Sequence, residues 1–229
     1  MGDLLHMLLN INETLKSVID AHGPWVYGTL FAIIFAETGL VVMPFLPGDS
    51  LLFAAGIYTA ADASGEPGKL NLWLLMFVLI VAAILGDAVN YHIGKWAGPK
   101  IFRGEGVGLL GKLLNRKHLA RASAFYERYG GKAVVLGRFV PIVRTFVPFV
   151  AGAGAMDYAR FVWFNIFGAV LWVGICVLAG HFFGQIDWVK KHFELVVVGI
   201  IVVSVIPIVI EVLLAKFRKP APAAAGTNH

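Results

Sequence analysis

Four ionisable residues, Glu37, Asp49, Arg138 and Arg144, stand inside stretches that are otherwise largely apolar. An acid or base at the centre of a bilayer costs about 2.5–3.5 kcal/mol on insertion scales, so four unpaired ones would cost roughly 10 kcal/mol together. That is comparable to the whole stability of a typical domain. The four must therefore face one another, a ligand or water. Two readings follow. The planar fork of arginine takes phosphate in a bidentate way, so Arg138 and Arg144 could clamp an anion while Glu37 and Asp49 titrate as a proton or cation relay. Alternatively, two acids and two bases form ion pairs that pin one segment against another, although desolvation tends to cancel the attraction in such pairs. Asp87 and Tyr91, one helical turn apart, could extend the polar pathway or make a helix–helix hydrogen bond. Asn90 and Asn165 read as interhelical hydrogen-bonding residues, and His181 and Glu211 as side chains that snorkel or pair near span ends.

The segments that must position these side chains follow from composition. Of the 229 residues, 59% are apolar and 14% charged, with 26 glycines and 17 phenylalanines. Soluble domains are nearer 45–50% apolar and about a quarter charged. This chain has more apolar surface than one core could hide, and it belongs in a bilayer. Disorder, a collagen-like fibre and a disulfide scaffold are excluded on the same grounds, and the single cysteine, Cys176, allows no intrachain disulfide.

A span needs about 20 mainly apolar residues. Segments 70–93, 161–183 and 193–214 fit. Segment 24–60 is too long for one span and is broken by Pro44, Pro47, Gly48 and Asp49, while 132–155 carries Arg138, Pro141, Arg144 and Pro148 in its middle. Broken apolar segments predict re-entrant helical hairpins, whose backbone groups survive only when buried in protein or lining a wet cavity. The expected fold is thus an all-α integral membrane protein, with three transmembrane helices and two oppositely oriented re-entrant hairpins. Residues 1–22 mix acids and leucines at helical spacing, with no basic n-region, and predict an amphipathic helix rather than a cleavable signal, lying either on the membrane surface or as a cap on the protein. A second surface helix is expected in the 95–132 linker, its stripe of Leu109, Leu110, Leu113, Leu114, Leu119, Ala122 and Phe125 against lipid. Asp157 is placed to N-cap the helix after it. Residues 216–229 form a basic, Ala/Pro-rich tail that reads as disordered.

Charge sets the orientation. The linker 95–132 carries nine Lys and Arg, against only Glu105 and Glu127, and the tail adds Lys216, Arg218 and Lys219. Basic loops stay in the cytoplasm, so both belong inside, and 161–183 and 193–214 then connect inside to inside. That leaves 132–155 to enter and leave on the cytoplasmic face. By the same parity the loop at 62–69 is outside, and hairpin 24–60 opens opposite to hairpin 132–155; alternatively 24–43 alone is long enough to span, which would put the N-terminus inside. A repeat agrees: residues 84–98 and 166–180 share Ile, Gly, Ile, Ala and Gly at equal offsets, each after a broken segment ending in Ala-Gly. Inverted repeats with broken helices at the midplane describe many secondary transporters. The basic blocks lack the aromatic interleaving of a nucleic-acid surface. No GxSxG, HExxH or Walker loop and no Cys/His metal spacing is found, so neither an enzyme nor a metal or cofactor is expected.

The stretches Glu37-Thr-Gly-Leu, Pro47-Gly-Asp-Ser-Leu-Leu and Gly86-Asp-Ala-Val-Asn-Tyr-His-Ile-Gly94 resemble the N-terminal half of bacterial DedA proteins. The run Gly137-Arg-Phe-Val-Pro-Ile-Val-Arg-Thr-Phe-Val-Pro-Phe-Val-Ala-Gly152, followed by Met156, Phe161, Asn165, Gly168-Ala169 and Trp172, resembles the longest motif of that family, also labelled SNARE-associated Golgi or VTT-domain proteins. The resemblance covers roughly 20–215. It implies a multi-pass protein of the bacterial inner membrane with a cytoplasmic C-terminus, which returns undecaprenyl phosphate from the outer to the inner leaflet using the proton-motive force. It also implies that the acidic pair matching Glu37 and Asp49 and the arginine pair matching Arg138 and Arg144 are required. The partners expected are membrane lipids, undecaprenyl phosphate and a coupling ion, H+ or Na+, without nucleic acid; a homo-oligomer is left open. The competing expectations are uptake of a small oxyanion such as selenite, and a non-transporting membrane organiser.

Overall fold

A computed structural model describes residues 23–40, 48–61, 68–102, 116–154 and 156–186, together with Gly199. The expected amphipathic helix over 1–22, the Pro44–Pro47 break, the span over 193–214, Glu211 and the tail 216–229 lie outside the described residues. Within them the chain is wholly helical: α1 (Trp25–Gly39), α2 (Gly48–Ile57), α3 (Leu72–Phe102), α4 (Arg116–Tyr129), α5 (Lys132–Gly137), α6 (Pro141–Ala153) and α7 (Tyr158–Phe183).

Two of these are long and apolar enough to cross a membrane, Leu72–Gly98 and Tyr158–Phe183. α3 carries exposed Trp73 near one end and Trp96 near the other. At 1.5 Å per residue they stand about 34 Å apart, close to the thickness of a bilayer's hydrocarbon core, and tryptophan favours both interfaces. Between them Phe77, Leu85 and Val89 face outward, as Trp163, Phe167, Val170 and Ile175 do on α7. α3 continues beyond its apolar span to Phe102. Asp157 caps α7 as its sequence position predicts, its Oδ1 accepting from Arg160 N at 3.0 Å.

The shorter apolar helices, α1 with 15 residues, α2 with 10 and α6 with 13, each fall below the length of a span. They pack inward on the two long ones, and the pairing crosses between the halves of the chain: α6 lies on α3, and α2 on α7. The glycines of the internal repeat make this possible. A Cβ on Gly86 would lie 2.9 Å from Phe35 O of α1, and one on Gly168 would lie 3.3 Å from Val135 Cα of α5. A Cβ on Gly98 would lie 2.9 Å from Ala153 Cα of α6, and one on Gly180 would lie 3.1 Å from Gly56 Cα of α2. The first glycine of each repeat therefore admits the short helix of its own half. The second admits the short helix of the other half.

Two apolar cores result. One gathers Leu30, Ile34, Leu52, Leu75, Leu79, Val173 and Val177; the other gathers Tyr91, Leu119, Val134, Phe146, Phe149 and Phe161. Leu119 and Ala122 of α4 are buried in the second core, where α4 packs on α6, so this part of the linker stripe faces protein rather than the lipid expected for it. Along both long helices the polar residues fall between the two cores: Asp87 and Asn90 on α3, and Asn165 on α7.

Candidate functional site

Local sequence explains where each charge stands. Pro141 opens α6 and disfavours a helical residue before it, so Val140 is extended (φ −113°, ψ 106°) and α5 stops at Gly137. Arg138 falls in this break, and Arg144 falls one turn into α6. Pro148, four residues beyond Arg144, has no N–H to give the Arg144 carbonyl, which loosens the helix at the second arginine. On the other side α1 ends at Gly39 with Leu40 extended, which puts Glu37 in its last turn. α2 starts at Gly48, so Asp49 lies in its first turn and the helix N-terminus points its partial positive charge at the acids. Gly48 N donates to Glu37 Oε1 at 3.3 Å. A Cβ on Gly48 would stand 2.6 Å from Glu37 Cδ, so a side chain there would push the Glu37 carboxylate out of its place.

Arg144 is the hub. Its Nη2 donates to Glu37 Oε1 in a short ion pair, and its Nη1 donates to Asp49 Oδ1 at 2.9 Å. Arg138 reaches the other way: its Nη2 donates to Asp87 Oδ2 and to Asn165 Oδ1, both at 2.6 Å. Asn165 is fixed in turn by donating from Nδ2 to Ile84 O at 3.0 Å. The Trp172 ring has both guanidiniums against it, Arg144 Cζ at 4.9 Å and Arg138 Cζ at 5.7 Å from its centre. Its Nε1 donates to Asp49 Oδ1 at 2.7 Å. Asn90 ties the surroundings together, donating to Thr38 O of α1 at 3.1 Å and to Thr145 O of α6 at 2.8 Å.

Burial divides the cluster. The side chains of Arg138 and Asp87 are 5% and 4% exposed, whereas Arg144 is 11% and Asp49 30% exposed. Glu37, 2% exposed, is as buried as the Arg138 pair, and the cluster reaches the surface only at Asp49. Two cations meet three carboxylates, a formal excess of one negative charge. Among the described residues, several buried atoms have no hydrogen-bond partner: Glu37 Oε2, Ser50 Oγ, Thr145 Oγ1, Asn90 Oδ1 and Arg138 Nε. A cavity of about 10 Å³ lined by Thr38, Asp87, Arg138, Arg144, Thr145 and Trp172 lies among them. It has room for about one water and not for a phosphate group. Among the described residues no group of acids, histidines and cysteine has the arrangement of a metal site.

Of the residues singled out from sequence, Glu37, Asp49, Asp87, Arg138 and Arg144 come together. Tyr91 does not join them. Its hydroxyl donates to Met156 O, and its ring stacks on Phe161 with centroids 4.5 Å apart, inside the second core. His181 pairs with the Thr59 hydroxyl, Nδ1 to Oγ1 at 2.8 Å, at the far end of α7. Trp172 and Asn165 gain partners that sequence reasoning did not assign them. The available signal was their place in the same motif block as the arginines. Their spacing adds to it, since residues seven apart share one face of a helix.

Helices with apolar outer faces around a largely buried cluster of five charges fit an α-helical membrane protein with a polar site among its helices. Residues 46–182 match the VTT domain. The chain is 49% identical over 221 residues to Protein DedA of Escherichia coli K12, covering 96% of this chain and 97% of that protein. It is 36% identical over 178 residues to a membrane protein of Mycobacterium leprae, covering 78% of this chain and 75% of that one. It is 34% identical over 181 residues to inner membrane protein YghB of Escherichia coli K12, covering 79% and 78%. The chain belongs to the DedA family of VTT-domain membrane proteins. No solved structure matches it.

Proposed function

We propose that this chain carries undecaprenyl phosphate between the leaflets of the bacterial inner membrane, coupled to H+ or Na+. Arg138 and Arg144 hold the phosphate, and the prenyl tail stays in lipid. Glu37 and Asp49 pair with Arg144 in the resting state, and neutralising either of them frees the guanidinium for phosphate. At 100 mV one charge crossing the membrane is worth about 2.3 kcal/mol, a bias of roughly fiftyfold. In this reading α1 with α2, and α5 with α6, are re-entrant hairpins opening on opposite faces. The segment 193–214 supplies a third span, and the C-terminus is cytoplasmic. The work is transport, with no covalent step and no cofactor.

The observation that carries the reading is Arg144, held between two carboxylates of which one, Asp49, is 30% exposed. With space for about one water, the cluster admits a headgroup only after Arg144 lets Asp49 go. Surface-exposed undecaprenyl phosphate in cells tests this. Under conditions where deletion of the protein raises its level, Arg144→Ala should raise it equally, and a wild-type level in that variant would overturn the reading. The sealed Arg138–Asp87 pair favours a second reading, in which the cluster only holds the helices together. That reading expects Arg138→Asp with Asp87→Arg to keep activity; the transport reading expects the exchange to abolish it.

A further inference from the structure

We propose that Trp172 is a positioning residue: it keeps hold of the Asp49 carboxylate while Arg144 exchanges that carboxylate for an anion. The inference rests on the transport reading above and assigns a step within it. One oxygen, Asp49 Oδ1, accepts from both Arg144 Nη1 at 2.9 Å and Trp172 Nε1 at 2.7 Å. The indole N–H is a donor only, and this carboxylate is its partner. Trp172 is itself buried, on α7, a different helix from those that carry Arg144 and Asp49.

An anion arriving from the surface meets Asp49 first, the most exposed of the three acids. For Arg144 to take it up, Asp49 must give up a charge-assisted hydrogen bond in a largely desolvated site, and a carboxylate left there without a donor is costly. With the Trp172 N–H in place, the carboxylate keeps one donor throughout. The ring meanwhile lies against both guanidiniums, so their cation–π contacts persist whether their oxygen partner is carboxylate or phosphate. The exchange therefore alters one bond of Arg144 and leaves the rest of the cluster in place. Trp172 never touches the anion.

A double-mutant cycle tests this on the purified full-length protein in detergent. Binding is read by calorimetry with two probes, inorganic phosphate and farnesyl phosphate, which separate a free anion from a lipid headgroup. Trp172→Phe keeps an aromatic ring beside the guanidiniums and removes the N–H. It should weaken binding of farnesyl phosphate about tenfold, equivalent to about 1.4 kcal/mol. In an Asp49→Asn background, where no carboxylate has to be released, the same substitution should change affinity less than about twofold. Equal weakening in both backgrounds would overturn the proposal, and so would wild-type affinity in Trp172→Phe alone. Should Trp172→Phe fail to fold, benzothienylalanine at 172, which keeps the bicyclic ring and lacks the N–H, takes its place with the same expectations. Inorganic phosphate following the same cycle while farnesyl phosphate does not bind would keep the role of Trp172 and overturn the lipid as substrate. Absence of wild-type binding to either probe would overturn both.

Discussion

Arg138 and Arg144 sit six residues apart in one motif, and the surroundings of each predict what its loss costs. Arg138→Met leaves the Asp87 carboxylate buried with no cation against it, a change that costs about 3–5 kcal/mol in other buried pairs. Thermal unfolding in detergent should show the loss, and Arg138→Met with Asp87→Leu should recover more than half of it, because an apolar pair carries no uncompensated charge. Arg144→Met likewise strips the cation from Glu37, whose side chain is 2% exposed, so it should cost a comparable amount, about 3–5 kcal/mol, even though Asp49 is partly exposed and keeps the Trp172 donor. If Arg144→Met melts like wild type, the dependence of buried Glu37 on Arg144 is wrong. At this scale the sequence was legible where charge conflicts with an apolar setting: Glu37, Asp49, Arg138 and Arg144 stood out because each is expensive in a bilayer. Trp172 and Asn165 violate no such rule, so only their motif block and their spacing pointed to the cluster, and their partners came from the coordinates. Tyr91 shows the reverse case. Its spacing from Asp87 allowed a shared polar face, but the aromatic packing around Phe161 and the Met156 carbonyl took it into the core.

Helix packing explains why a chain rich in glycine folds around so many charges. The short helices approach the long ones at glycines, and equivalent glycines serve both halves. Gly98→Leu and Gly180→Leu should each destabilise the fold by at least about 1–3 kcal/mol, the usual cost of forcing volume into a packed interface. Gly174 has open space where its Cβ would be, so Gly174→Leu on the outer face of α7 should melt within about 0.5 kcal/mol of wild type. Detergent-solubilised melting of the three variants checks this, and a cost at Gly174 matching the other two would contradict it. The long helices and the two broken segments were readable from apolar run length and proline position. The cross-pairing of α2 on α7 and α6 on α3 was not, because the repeat gives equivalence between halves and says nothing of which partner each short helix meets. The linker stripe misled for a related reason: an apolar face on α4 fits lipid and α6 equally well, and α6 lies against it.

For the molecule as a whole, the transport account requires that the two ends of α3 lie on opposite sides of the membrane, with Trp73 and Trp96 at the two interfaces. In a Cys176→Ser background, Ser64→Cys should react with an impermeant maleimide added to intact cells, and Lys132→Cys should react only after the inner membrane is opened. Labelling of both from the same side would overturn the arrangement. The central claim is that Arg144 is an anion site masked by carboxylates rather than a structural rivet, and direct binding tests it most closely. Purified wild-type protein should bind farnesyl phosphate, and Arg144→Ala, shown by its melting to be folded, should bind it at least about tenfold more weakly. Undiminished binding in folded Arg144→Ala would contradict the account.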